Sequence, residues 1–424
     1  MKKPQNCIIT IFGASGDLTK RKLMPAIFEL FKKDMLPEKF AVLGTSSSVL
    51  SDDKFRENMK AAIIATDKDS DAKELDGFLQ TLNYFPANFT EKDTYRKISE
   101  RMKTLDNTCG NDCNYIFYLA TIPGLFQTII SGLGEAGLNK SGNGYRRIVV
   151  EKPFGYDLPS AKALNDDIHK VFNEDQIYRI DHYLGKETVQ NVLVTRFANG
   201  IFEPVWNRNY VHHVEITSAE SLGIENRGSY YEKAGALRDM VQSHLLRLAA
   251  LVAMEPPSSF ESDAVRNEQL KVLQSLRPIK EDEVDTFVVR GQYCDSTIRG
   301  EKVKGYREEN EVANDSRTET YTAVKFYIDN WRWGGVPFYI RSGKRLPTRV
   351  TEAVIHFKKT PHYLFSKYSS NNTANKFILR IQPDEGIAIK FDMKEPGTGY
   401  NVHNVSMDFH YNDISDIQLP EAYE

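Results

Sequence analysis

Apolar residues in the first part of the chain come in short runs, each ending in a polar or glycine-rich turn. Residues 7–12, 40–44, 115–120 and 147–150 read as buried strands. The first runs into Gly13-Ala14-Ser15-Gly16-Asp17-Leu18, and helical spacing follows over residues 19–31. Strand, glycine turn and helix in that order form the opening unit of a dinucleotide-binding fold. Further on, residues 176–180 predict a short strand. A helix follows from Lys186, with Val189, Val192 and Leu193 at helical spacing. Val211–Ala219 alternates like a half-exposed strand. Residues 234–254 predict one long helix, whose stripe is Leu237, Met240, Val241, Leu245, Leu248 and Val252. The remainder reads as antiparallel strands over residues 286–293, 323–328, 338–341, 353–357, 377–382 and 387–393. The pattern therefore predicts α/β plus α+β: a Rossmann-like dinucleotide-binding domain over 1–178, then a larger domain over 179–424 with a mainly antiparallel sheet.

Composition narrows this only a little. At 424 residues the chain is too long for one ordinary core, which agrees with two domains. A net charge of −3 with interspersed signs argues against a nucleic-acid partner bound by phosphate neutralisation, so any anion site must be built locally. Four cysteines in so long a chain make no disulfide framework, and Cys109 and Cys113 have no second Cys or His pair near them. No metal site, no membrane segment and no signal-peptide core are expected, and a reducing cytoplasm is the default.

The chemistry gathers in the turns. The pattern Gly-x-x-Gly-Asp-Leu at Gly13 is not the usual three-glycine fingerprint. It still brings backbone N–H groups toward a pyrophosphate, with Lys20, Arg21 and Lys22 adding charge. After the second strand, Thr45-Ser46-Ser47-Ser48 supplies hydroxyls where an acid would mark NAD and an arginine NADP. Lys152-Pro153 follows the strand at 147–150, which puts an ammonium at a strand's carboxyl end beside a candidate cis bond. Between the strand and helix flanking residue 185 lie Asp181, His182, Tyr183 and Lys186. Histidine and lysine donors at a helix start make a phosphate cradle, whereas Asp181 suits an imidazole or a hydroxyl better than a phosphate. His244 falls on or beside the stripe of the long helix, where a hydrogen-bonded core histidine is as ordinary as a catalytic one. Asp239, five residues earlier, is rotated away from it by about 140° in an ideal α-helix. The basic run Arg341-Ser342-Gly343-Lys344-Arg345 reads as a loop suited to an anion or a sugar.

Several of these stretches carry a resemblance. They are the glycine turn with Arg21-Lys22-Leu23, Glu151-Lys152-Pro153-Phe154-Gly155, the run from Arg179 to Glu187, Arg196-Phe197-Ala198-Asn199 and Trp206-Asn207-Arg208. Leu237-Arg238-Asp239-Met240 with His244-Leu245-Leu246 and Arg341-Ser342-Gly343-Lys344 complete the set. In that order they resemble the glucose-6-phosphate dehydrogenase family over nearly the whole chain. The resemblance implies that His244 is the general base toward the C1 hydroxyl of glucose 6-phosphate and that Asp181 orients it. It implies that His182, Tyr183 and Lys186 hold the 6-phosphate. Lys152, Glu220, Asp239 and Lys344, with Gln382 beside them, are implied to fix the sugar hydroxyls. Gly13, Ala14, Ser15, Gly16, Asp17, Leu18, Lys22, Ser47 and Lys152 are implied to hold NADP. A homodimer through the large sheet is implied as well.

Two departures set further expectations. The family commonly has an arginine near Ser47, so use of NAD alongside NADP is expected to be open. The family also continues for some tens of residues beyond Glu424, and Val350 and Val354 stand where some members carry basic residues, so no second, structural NADP is expected. The alternatives are another sugar dehydrogenase of similar build and a non-catalytic NADP-binding homologue.

Overall fold

The computed structural model describes residues 3–68, 70–109, 113–140, 144–298, 300–365 and 373–413. Residues 366–372 and the end of the chain from 414 lie outside the described residues. The chain divides into two compact units, one ending at His182 and the next beginning at Tyr183.

In the first unit six strands form one parallel sheet in the order β3-β2-β1-β4-β5-β6. They are β1 Cys7–Phe12, β2 Phe40–Ser46, β3 Leu82–Pro86, β4 Asn114–Leu119, β5 Arg146–Val150 and β6 Ile177–Arg179. Successive residues of β1 point to opposite faces, so Cys7 and Ile11 join one core and Ile8 and Phe12 the other. On the first face pack α1 Met24–Lys32, α2 Asp52–Thr66 and α3 Ala72–Gln80, through Phe28, Phe55 and Phe78. On the second pack α4 Lys92–Cys109, α5 Phe126–Glu135 and α6 Leu158–His169, through Met102, Ile129 and Ile168. Burial on both faces is why these strands read as apolar runs. A π-helical stretch, Thr19–Leu23, leads into α1. The short β3, with Pro86 at its end, escaped the sequence pattern.

The second unit is built on an eight-stranded sheet in the order β16-β15-β14-β13-β7-β12-β11-β8. Its strands are β7 Val211–Ala219, β8 Val288–Gly291, β11 Tyr321–Tyr327, β12 Pro337–Gly343, β13 Val350–Phe357, β14 Lys376–Gln382, β15 Gly386–Lys394 and β16 Val402–His410. A separate hairpin pairs β9 Ser296–Ile298 with β10 Glu301–Val303. All neighbours in the large sheet are antiparallel except β7 and β12. Val214 and Ile216 of β7 and Phe338 and Ile340 of β12 form a core with Leu245, Leu248 and Val252, so helices cover one face. The helical elements of this unit are α7 Glu187–Phe197, α8 Gly228–Ala236, the π-helical segment Leu237–Leu245, α9 Leu246–Ala253, α10 Ser262–Gln274 and α11 Val284–Phe287.

The single helix expected over 234–254 is not what forms. Gly235 has φ +62° and breaks the run, and the winding then passes through the π segment before α9. A helical periodicity of apolar residues survives such a break because the same face stays buried on each side of it. The strand expected from residue 286 starts at Val288, after the single turn of α11. Arg341 belongs to the end of β12 rather than to a loop, and its Nε donates to Thr217 Oγ1 at 2.8 Å.

Candidate active site

In the first unit the strand order reverses between β1 and β4, so their carboxyl ends open the crevice where such sheets bind nucleotides. Gly13, just past β1, has φ +93°, and a Cβ on it would stand 2.6 Å from the carbonyl oxygen of Ala120. Only glycine fits that backbone. The N–H groups of Gly13 and Ala14 donate to Thr45 O at 2.8 and 3.1 Å, and Gly16 N donates to Gly13 O at 2.9 Å, which fixes the turn. At the end of β2, Ser46 Oγ lies 2.8 Å from Ser15 Oγ and 2.7 Å from the Tyr84 hydroxyl, and Ser48 Oγ donates to Ser15 Oγ at 3.1 Å. Ser47 is exposed beside this hydroxyl cluster. A glycine turn that a side chain would fill, next to hydroxyls with no carboxylate among residues 45–48, fits a dinucleotide carrying a ribose phosphate.

Parallel pairing of β5 with β6 sets Val150 opposite Arg179. Lys152 and Asp181 each follow by two residues, so the register brings both out at the same sheet end. The Lys152–Pro153 bond is cis. Glu151 is buried and accepts from the Tyr118 hydroxyl at 2.6 Å and from Lys152 N at 3.2 Å, anchoring the turn. Arg179 donates to Glu174 at 2.7 Å and to Asn165 at 2.6 Å, which is a structural clamp. His182 closes this unit half-buried.

In the second unit the π segment carries both Asp239 and His244, each buried. Hydrogen bonds in a π-helix run from i to i+5, so residues five apart come nearly one above the other. That wider winding narrows the 140° separation an α-helix imposes. Glu319, also buried, holds the start of the segment: its carbonyl accepts from Ala236 N at 2.9 Å and its Oε1 from Leu237 N at 3.0 Å. The imidazole of His244 stacks on the Tyr183 ring at 4.5 Å and 21°. Lys186 Nζ stands 4.1 Å from the centroid of the same ring. Tyr183 is fixed from the sheet side, its hydroxyl 3.3 Å from Thr351 Oγ1.

The parallel pair β7–β12 has Ala219 opposite Gly343, and the next residues, Glu220 and Lys344, emerge side by side and form an ion pair. Glu220 O accepts from Leu346 N and Glu220 N donates to Gly343 O, both at 2.9 Å. Lys344 also lies 5.4 Å from the Tyr231 ring, on the same helix as Tyr230, whose hydroxyl donates to Asp239 Oδ1 at 3.0 Å. Burial, then the Asp239 carboxylate, pushes the Tyr230 phenol well above its ordinary range, so it remains a donor. Gln382 ends β14 beside the start of α7, where Thr188 Oγ1 reaches Ile381 O at 3.5 Å. Glu385 is close by: burial raises its pKa, and the Lys186 ammonium works against that rise.

The second unit thus joins His244, Tyr183 and Lys186 around one ring, and Glu220 with Lys344 at the sheet end. Asp239 is placed through Tyr230, and Lys152 and Asp181 stand abreast in the first unit. Glu319, Tyr230 and Glu385 went unnoticed in the sequence. The one signal for Glu319's role was a glycine inside a helical pattern, at 235.

Two family models together match almost all of the chain: the NAD binding domain of glucose-6-phosphate dehydrogenase over residues 10–191, and its C-terminal domain over 193–424. The chain is 52% identical to glucose-6-phosphate 1-dehydrogenase of Aggregatibacter actinomycetemcomitans, over all of its own length and 85% of that protein's. It is 46% identical to the Bacillus subtilis (strain 168) protein of the same name, covering 98% of this chain and 84% of the relative. A solved glucose-6-phosphate dehydrogenase in complex with its substrate glucose-6-phosphate superposes with a TM-score of 0.91 at 34% identity, over 100% of this chain and 85% of that one. Fold, turn chemistry and these likenesses agree, and the chain belongs to the glucose-6-phosphate dehydrogenase family, oxidoreductases acting on the CH–OH group of a sugar phosphate.

Proposed function

We propose that this chain oxidises glucose 6-phosphate at C1 to 6-phosphoglucono-1,5-lactone. The observation that carries this reading is the Tyr183 ring, which holds the imidazole of His244 and the ammonium of Lys186 within 4.5 and 4.1 Å of its centroid. A proton acceptor and a phosphate-binding cation are thereby fixed in one geometry.

In this reading His244 removes the C1 hydroxyl proton while the C1 hydrogen leaves as hydride. NADP⁺, when bound, accepts that hydride. The imidazolium formed is favoured by the aromatic face beneath it and by Asp181, which the family pattern assigns as its partner. His182, Tyr183 and Lys186 hold the 6-phosphate. Lys152, Glu220, Asp239, Lys344 and Gln382 fix the sugar hydroxyls, and a fixed sugar is what makes proton and hydride removal productive. The turn from Gly13 to Leu18, with Lys22, Ser47 and Lys152, holds the dinucleotide. Hydroxyls rather than an arginine at the end of β2 support NADP⁺ as acceptor with NAD⁺ also used. The reading places the protein in the cytoplasm. No helix among the described residues is long and apolar enough to cross a membrane. We also assign a homodimer through the large sheet's open face, where Val354, Ile378 and Ala388 form an apolar cluster apart from the main core.

The test is the initial rate of reduced-nicotinamide formation from glucose 6-phosphate with NADP⁺ and NAD⁺ at matched concentrations. Turnover with NADP⁺, and measurable turnover with NAD⁺, is the expected result. Saturable binding of NADP⁺ without turnover of any sugar phosphate would instead make the chain a non-catalytic homologue.

A further inference from the structure

Apart from the residues proposed to hold sugar and dinucleotide, three side chains converge on the open face of the large sheet, where Glu215 pairs with Val354 of the proposed dimer surface. His213 and Glu215 are two apart on β7 and so point to one side. His356 of β13 is the direct cross-strand partner of His213. Val214 and Ile216, between and beyond them, belong to the helix-covered core, which puts His213 and Glu215 on the other face.

The distances have a definite form. His213 Nε2 lies 3.3 Å from one Glu215 carboxylate oxygen, and His356 Nε2 lies 3.5 Å from the other. One donor atom from each of the three residues falls within 4.8 Å of the others. Donors held 2.0–2.1 Å from a tetrahedral ion are separated by about 3.3–3.4 Å, so the two carboxylate edges already have that scale. The imidazoles face each other at 4.0 Å and 17°. His356 Nε2 is buried and makes no hydrogen bond.

A β-bulge supplies the outer support. Register shifts between His356 and Phe357, where Phe357 pairs with Val211, and His212 is the extra residue. Bulges re-aim side chains. Here His212 Nδ1 comes to 2.7 Å from His213 Nδ1, which leaves the Nε2 side of His213 toward Glu215. Ligating histidines are usually held through their second nitrogen in this way. The Tyr339 ring edges against His213 at 5.8 Å and limits its rotation.

We propose that His213, Glu215 and His356 form a site for a divalent transition-metal ion of the zinc class, with His212 orienting His213 from outside. Two imidazoles and one carboxylate select such ions over magnesium and calcium, which prefer all-oxygen sets. Binding takes the two rings out of their 17° stack, each turning about its side-chain bonds until both Nε2 lone pairs converge on the ion, and the fourth position is left to water. The ion clamps β7 to β13 at the middle of the sheet, and no step of the proposed oxidation passes through it. Neither strand announces the site in sequence, since His356 is distant from the His-His-Val-Glu run.

The experiment is calorimetric titration of chelator-treated full-length protein with Zn²⁺, and separately with Mg²⁺, for the native chain, Glu215→Gln and His356→Gln. Melting temperatures are read with and without Zn²⁺. The native chain should take up one Zn²⁺ per chain and melt higher with it, while Mg²⁺ gives no saturable binding. Each variant should lose more affinity than the ~10–100-fold that removal of an outer-shell partner costs. Both should keep turning over glucose 6-phosphate, which shows that they are folded. Zn²⁺ binding of equal stoichiometry and affinity in the variants, or no saturable site in the native chain, overturns the proposal.

Discussion

His244 and Lys186 meet the same tyrosine ring, yet their removal should be felt differently. His244→Asn keeps a polar group of similar size but cannot take a proton at the same atom. We expect turnover to fall by about 10²–10⁴-fold, the usual worth of a positioned general base, with little change in KM. Lys186→Ala should chiefly raise the KM for glucose 6-phosphate, by roughly ten- to a hundredfold. That corresponds to the ~1.5–3 kcal/mol of a hydrogen bond to a charged group. Steady-state kinetics on both variants separates the two roles, and near-native turnover in His244→Asn would refute the base assignment. The His244 side chain illustrates what sequence can show about a single residue. Position on an apolar stripe fitted a core histidine equally well, and burial in the structure agrees with that too. Its stacking on Tyr183 and proximity to a lysine are tertiary facts, because Tyr183 and Lys186 come from a segment about sixty residues earlier.

At the scale of elements, the break at Gly235 decides how the π segment presents Asp239 and His244. Gly235→Ala must adopt a positive φ, and its Cβ would lie 2.4 Å from Glu319 Oε1, the atom that caps Leu237 N. We expect a loss of about 1–3 kcal/mol in stability and a fall in turnover. Unfolding by denaturant and rate assays on one preparation would show both, and an unchanged midpoint would contradict the capping role. On α7, Arg196 is buried, donates to Leu251 O at 3.0 Å and pairs with Glu203 at 3.1 Å. Burial, opposed by Glu203, brings its pKa down to about 10, so the guanidinium is still charged at neutral pH. Arg196→Ala removes one partner of a buried pair, and a cost of ~3–5 kcal/mol is expected in thermal or chemical unfolding. Apart from the short β3, the apolar strands of both sheets were legible because their burial is written in their side chains. β16 was missed even though Val405, Met407 and Phe409 alternate with Ser406 and Asp408, because this edge strand buries no face and so carries no apolar run. The π winding was equally invisible: periodicity in an eleven-residue window does not distinguish 3.6 residues per turn from a locally wider turn.

For the whole molecule, the two-part architecture followed from a change in periodicity near residue 180, with buried runs before it and alternation after. The resemblance then carried the site residues, which no spacing rule could have assembled from stretches scattered between residues 13 and 382. The structure adds how each unit prepares its share. Parallel strand ends bring out Lys152 with Asp181, and Glu220 with Lys344, while the glycine turn at residue 13 remains open to a dinucleotide. The open sheet face adds an assembly prediction. Light scattering on the eluting protein should give twice the mass of one chain, and a monomer at micromolar concentration would remove the dimer assignment. The central claim is that this site is built for a phosphorylated sugar. The most direct measurement compares kcat/KM for glucose 6-phosphate and for free glucose with saturating NADP⁺. The account predicts efficient oxidation of glucose 6-phosphate and a value for glucose lower by orders of magnitude; comparable values for the two sugars, or no oxidation of the phosphate ester, would contradict it.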